Sequence, residues 1–243
     1  PPIINTELTI DHVIEILQRR VGCQSREYKL SDLLNFSEKA VFEMYIFRGA
    51  SFATAVEQSQ KTMLIVSQAL LCLVTKRPCM IVVGLKLNQT QDLGRKMQDM
   101  LRFLGIHVSF MNNGEQCWDK FKKDGTMIDQ FKNGQRVVIF PGYAMTRANF
   151  IQEIDATNVL LVMDESDNVF KTDDFDQNQR SKEWNFARLI GKPHRERAHV
   201  TGVVLISATH FADMNIWGRC MKEVPKSFEH VDVNLLKQRG YTT

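Results

Sequence analysis

A chain of 243 residues with 44% hydrophobic composition can bury one sizeable core, which suits a single main domain with a small appendage. Lysine and arginine total 31 against 28 aspartate and glutamate, so the overall charge does not by itself announce a nucleic-acid partner. No apolar run reaches the length of a membrane span and no charged-then-apolar leader is present, so the expectation is a soluble intracellular protein, cytoplasmic, nuclear or virus-encoded, with no membrane partner. The five cysteines, at 23, 72, 79, 117 and 220, lack the close pairs of a zinc ribbon or redox motif and read as reduced thiols. Proline stands at position 1 with no initiator methionine, which suggests a processed or excised piece of a longer protein.

Taken in chain order, Ile10, Val13, Ile14 and Leu17 recur at helical spacing between Thr9 and Arg20. Val41, Phe42, Tyr45 and Ile46 do the same in "LSDLLNFSEKAVFEMYIF", so residues 1–48 are expected to form an N-terminal helical extension. Short apolar runs then alternate with amphipathic segments. The strand candidates are 51–56, 79–83, 107–111, 136–140, 158–163 and 202–207. Helices are expected over 61–75, 88–104, about 117–123, about 145–154 and 182–190. Strands that are apolar almost throughout are buried on both faces, which predicts an α/β domain over 49–210. Its sheet is mostly parallel with helices on both sides, and its ligand lies beyond the carboxyl ends of the strands. The acidic, polar stretch 167–184 reads as a loop or flap, and 211–243, weakly periodic, as a linker towards an absent second domain.

Three elements carry chemistry. "AVEQSQKTM" (55–63) sits where a strand hands over to a helix that Lys61 and Thr62 open. A phosphate-binding loop has this layout: backbone N–H groups and the helix N-terminus face the anion, the lysine reaches the terminal phosphates and the hydroxyl holds magnesium. The consensus asks for glycine at 55 and 60, where this chain has Ala55 and Gln60, so a polar loop before an ordinary helix stays open on this segment alone. In "VLLVMDESD" the apolar strand ends on Asp164 and Glu165. The first can anchor hydrated magnesium while the second orients and deprotonates an attacking water, although acidic pairs also serve as loop solubilisers and caps. Finally, "VVLISATHF" places Ser207, Ala208 and Thr209 after the next apolar strand.

In this order, with 103 residues from Lys61 to Asp164 and 43 from Asp164 to Ser207, the three elements resemble the first RecA-like domain of superfamily 2 helicases and their relatives. The resemblance covers about residues 50–210 and is strongest in "LLVMDESD" and "LISAT". It implies a nucleic-acid-dependent ATPase of helicase type with ATP and Mg2+ as cofactors. Gln58, Ser59, Gln60, Lys61 and Thr62 would enclose the phosphates, with Lys61 on the β and γ groups. Thr62 and Asp164 would hold the metal, Glu165 would be the catalytic base, and Ser207 and Thr209 would couple nucleotide state to the nucleic-acid surface. "IVVGLKLNQTQDLGRKM" and "VVIFPGYAMTRANF" are looser matches, and through them Lys86, Asn88, Gln89, Thr90, Gly142 and Arg147 would contact the backbone of a DNA or RNA strand.

Three departures qualify the resemblance. Gln60 stands where close approach of backbone to phosphate normally excludes a side chain, and a positive φ there would cost on the order of 1 kcal/mol. No glutamine occurs between Arg26 and Glu57 to read adenine as in the DEAD-box branch, which disfavours that branch. In the family a second RecA-like domain supplies arginines that stabilise the transferring phosphoryl group, so slow turnover is expected unless that domain is supplied in cis or by a partner. The alternative is a catalytically impaired helicase-like scaffold that binds protein or nucleic acid without turnover. Neither HExxH nor a His/Cys cluster supports a structural metal. GxSxG and GxGxxG are also absent, which leaves a serine hydrolase or a dinucleotide-dependent oxidoreductase without support. The basic run "GKPHRERAH" (191–199) could bind phosphate backbones, but reads by default as a solvated loop beside the acidic stretch.

Overall fold

The computed structural model describes residues 35–57, 59, 61–83, 87–103, 111–112, 121, 123–141, 150–166, 198–208 and 226–240. The elements in chain order are α1 (Glu38–Ile46), β1 (Gly49–Ala55), α2 (Lys61–Thr75), β2 (Cys79–Val83), α3 (Leu87–Phe103), β3 (Met111–Asn112) and α4 (Gly125–Lys132). After these come β4 (Val137–Pro141), α5 (Phe150–Glu153), β5 (Val159–Asp164), β6 (Val200–Ser207), β7 (Lys226–Val231) and α6 (Val233–Gln238). The strands form one sheet in the order β3-β4-β2-β5-β6-β1-β7, and every neighbouring pair runs parallel.

Strand burial explains the apolar runs. Side chains alternate across a strand, and here both sides are covered. On one face Ala53, Ile81, Ile139, Val162, Val204 and Ile206 pack with Val41, Met44 and Tyr45 of α1, Leu64 and Ile65 of α2 and Met97 of α3. On the other, Phe52, Val82, Val138, Leu161, Met163 and Leu205 pack with Phe121, Phe131 of α4, and Phe150 and Ile151 of α5. Truncating a fully buried member such as Leu161 to alanine removes its transfer energy and leaves a cavity, at a cost of about 2–5 kcal/mol. Nine consecutive residues of α2, Leu64 to Cys72, are buried, so this helix is enclosed all round.

At the amino edge of the sheet Arg77, 3% exposed, joins three elements. Its Nη1 donates to the Tyr45 carbonyl at the end of α1 (2.8 Å), its Nε to the Asn158 carbonyl before β5 (3.0 Å) and its Nη2 to Thr201 Oγ1 of β6 (2.9 Å). Gly202 leaves room for it, since a Cβ there would lie 2.9 Å from Arg77 Nη2.

The strand and helix expected at 79–83 and 61–75 coincide with β2 and α2. The helix placed at about 117–123 overlaps the described residues only at Phe121 and Lys123, and the helix that follows is α4. Its N-cap is Asp124, whose side chain accepts from Met127 N at 3.1 Å. Only Met111 of the expected strand 107–111 and only 150–154 of the expected helix 145–154 are described. The helices expected at 9–20 and 182–190, and the loop at 167–184, lie outside the described residues.

No strand is expected within 211–243, yet β7 pairs with β1 there and α6 follows it. Only Val231 of "KSFEHV" is buried, so it carries none of the apolar continuity of the inner strands. Glu229 of β7 accepts from Ser37 N at 2.8 Å and from Arg239 Nη2, and Phe228 meets Phe47 edge to face with centroids 5.6 Å apart. In this way α1, β1, β7 and α6 pack together.

Candidate functional site

In a parallel sheet all carboxyl ends lie along one edge, and three adjacent strands, β5, β6 and β1, bring the candidate residues to it. Thr54 of β1 is level with Ser207 of β6, and Met163 of β5 with Leu205 of β6, so Asp164 ends its strand beside this pair. Neighbouring strands are about 4.8 Å apart, which separates β1 from β5 by roughly 10 Å across β6. The ends of β1 and β5 are thereby set on either side of Ser207.

β1 ends at Ala55, and a short loop leads into α2, whose first residues are Lys61 and Thr62. The Lys61 ammonium donates to the carbonyls of Ala55 (3.3 Å) and Val56 (3.2 Å), folding back over the end of β1. No acidic residue lies in the first turn of α2, so the positive end of this 15-residue helix is not offset from within the turn. Ser59 is 1% exposed, and its carbonyl accepts from Asn35 Nδ2 at 2.8 Å.

On the far side of β6, Asp164 and Glu165 are both half-buried. Asp164 Oδ1 accepts from the backbone N–H of Glu165 at 3.0 Å, and Glu165 has φ +51°, left-handed backbone that non-glycine residues seldom adopt. The chain thus turns sharply as it leaves the sheet. Buried Ser166 donates from Oγ to the Ile206 carbonyl at 3.0 Å and fastens the turn to β6. Thr54 Oγ1 also contacts Nδ1 of the exposed His230 on β7.

Lys61, Thr62, Asp164, Glu165 and Ser207 therefore share one edge. Gln58, Gln60, Lys86, Gly142, Arg147 and Thr209 lie outside the described residues. Asn88, Gln89 and Thr90 fall in the first turn of α3, which follows the carboxyl end of β2. Asn35, Ser166 and His230 escaped the sequence reading. Ser166 stood in the quoted "DESD", whereas nothing in the spacing pointed to Asn35, 24 residues from its partner.

Among the described residues no group of three or more His, Cys, Asp or Glu is placed to hold a metal. The set formed by the Thr62 hydroxyl and the Asp164 carboxylate is all oxygen, which suits magnesium bound jointly with phosphate oxygens rather than a protein cage. No described helix is long and apolar enough to cross a membrane.

No protein-family model matches the chain, and no curated protein matches it. Among solved structures it is similar to a hypothetical ATP-dependent RNA helicase from Sulfolobus tokodaii, with a TM-score of 0.50 and 15% identity over 91% of this chain and 56% of that one. The chain thus spans little more than half the length of that protein. At this identity the likeness is one of fold. With its parallel sheet covered by helices on both faces, the chain has an α/β, RecA-like fold.

Proposed function

We propose that this chain is the nucleotide-binding module of a nucleic-acid-dependent ATPase of helicase type, with the RecA-like unit built around residues 49–210. The observation that carries the reading is the placement of Lys61 and of the Asp164–Glu165 pair at the ends of β1 and β5, on either side of β6. In this reading the N-terminus of α2 and Lys61 bind the β and γ phosphates. Lys61 exchanges two neutral carbonyl acceptors for anionic ones, which form stronger hydrogen bonds. Thr62 and Asp164 would hold Mg2+, which would supply charge neutralisation on the phosphates.

Glu165 orients a water in line with the γ phosphorus and takes its proton as the new P–O bond forms. The bond to the leaving ADP oxygen breaks in the same displacement, giving ADP and phosphate. The sharp turn at Glu165 and the Ser166 bond to Ile206 keep that carboxylate at the edge. Ser207 and Thr209 transmit the nucleotide state. Lys86, Asn88, Gln89, Thr90, Gly142 and Arg147 hold the DNA or RNA backbone, and a second RecA-like domain, in cis or from a partner, supplies the arginine.

The test is a thermal shift of the full chain with ATP. A rise in melting temperature that needs magnesium and disappears in Lys61→Ala supports the module. No rise in the wild type leaves the alternative, a helicase-like scaffold without turnover.

A further inference from the structure

We propose that Asn35 positions the loop leading into α2 and, through Ser59, sets the affinity of that loop for a nucleoside triphosphate. This rests on the ATPase reading and extends it to a residue outside every motif. Asn35 is fixed to the core by its neighbours. Phe36 is 1% exposed, and Ser37 caps α1 by accepting from Ala40 N at 3.1 Å while its own N–H donates to Glu229 at 2.8 Å. The backbone that carries the Asn35 side chain is thereby anchored. The side-chain amide grips the Ser59 carbonyl at 2.8 Å, and Ser59 N–H closes the turn onto the Val56 carbonyl at 3.3 Å.

A backbone carbonyl aimed at a phosphate repels it, whereas one held by an amide donor within the protein is turned away from the anion. Asn35 therefore favours the loop arrangement that accepts a triphosphate. Asn35 Oδ1 and Ser59 Oγ are buried, in residues only 4% and 1% exposed, and have no hydrogen-bond partner among the described residues. Leaving buried polar atoms unpaired costs free energy, so the Asn35–Ser59 hydrogen bond must offset that cost.

The experiment compares Asn35→Ala and Asn35→Asp in the full chain, the latter setting an oxygen against the Ser59 carbonyl in place of the donor. Gln68→Ala, which loses a buried amide bond to the Val41 carbonyl, controls for stability alone. Both Asn35 variants are expected to bind a fluorescent ATP analogue with magnesium about tenfold more weakly. In nucleotide-free protein their amide exchange over 56–59 should be about tenfold faster, with the control changed in neither. Unchanged exchange over 56–59, or an affinity loss no larger than the control's, overturns the proposal. A wild-type chain that binds no ATP overturns the ATPase reading instead, and the exchange measurement still decides whether Asn35 holds the loop.

Discussion

Arg77 holds Tyr45 twice, by a 2.8 Å hydrogen bond to its carbonyl and by a guanidinium carbon 5.1 Å from the centre of its ring. The carbonyl closes α1, so the cation also meets the negative end of a helix. Arg77→Ala would strand the Asn158 and Tyr45 carbonyls at the amino edge and is expected to cost about 3 kcal/mol or more. Because lysine lacks the planar fork, Arg77→Lys should recover only a minor part of this. Denaturant unfolding at neutral pH measures both, and equal stability of the wild type and Arg77→Ala would contradict the clamp.

The alkaline limb of stability should report Tyr45. Burial is the main cause that pushes its hydroxyl up to about 12, with a smaller contribution from nearby Cys72, and the hydroxyl is bonded to Thr75. A folded pKa above the unfolded value means that the neutral phenol stabilises the fold fully below pH 10 and that this contribution is lost as the pH rises towards 12. Tyr45→Phe should lower stability at pH 7 by about 1 kcal/mol, through the lost hydrogen bond, and flatten the decline between pH 10 and 12. Parallel slopes in the two proteins would show that the phenol does not govern that limb.

At the site, Glu165 offers a test that separates backbone strain from chemistry. Glu165→Ala and Glu165→Gly both lack the carboxylate, so their difference reports the φ of +51°. The glycine variant should be the more stable by about 1 kcal/mol in urea unfolding. Glu165→Gln should keep the magnesium-dependent ATP shift while losing phosphate release by about a hundredfold or more. Retained turnover in Glu165→Gln would remove this residue from the role of base.

Gly134 and Lys76 are both left-handed, at φ +67° and +56°. A Cβ on Gly134 would lie 2.1 Å from the Lys76 carbonyl carbon and 2.5 Å from Arg77 N, a clash with backbone that cannot give way. Gly134→Ala should therefore cost about 3 kcal/mol. Lys76, exposed just past the end of α2, is placed where helices favour glycine, so Lys76→Gly should gain about 1 kcal/mol. Melting curves of the two variants, moving in opposite directions, check both.

Those features were legible in the sequence that express burial on both faces of a sheet. The run "CMIVV" could be read because every residue of β2 is covered, and α2 because its apolar stretch is too long for a strand. The candidate residues at strand ends followed from the same runs, since a parallel sheet sends its carboxyl ends to one edge. β7 was missed because an exposed edge strand is held by its pairing with β1 and by Glu229, neither of which leaves a local pattern. α4 was missed although Asp124 is a good N-cap signal, because Gly125 behind it reads as a turn. Asn35 and Arg77 act through contacts distant in sequence, where hydrogen-bond capacity gives no hint of the partner.

The register of β1 also sets an order of events at the ribosome. Ser51 donates to the Val203 carbonyl, 152 residues further along the chain, and the other flank of β1 is filled only by β7. The strand that delivers Lys61 consequently leaves the ribosome before either neighbour and must wait, with both ladders open, for the 152 residues up to Val203 and then for β7 to be made. At about 5–20 residues per second that wait is on the order of ten seconds, during which an apolar strand lies bare to chaperones or to its neighbours on the polysome.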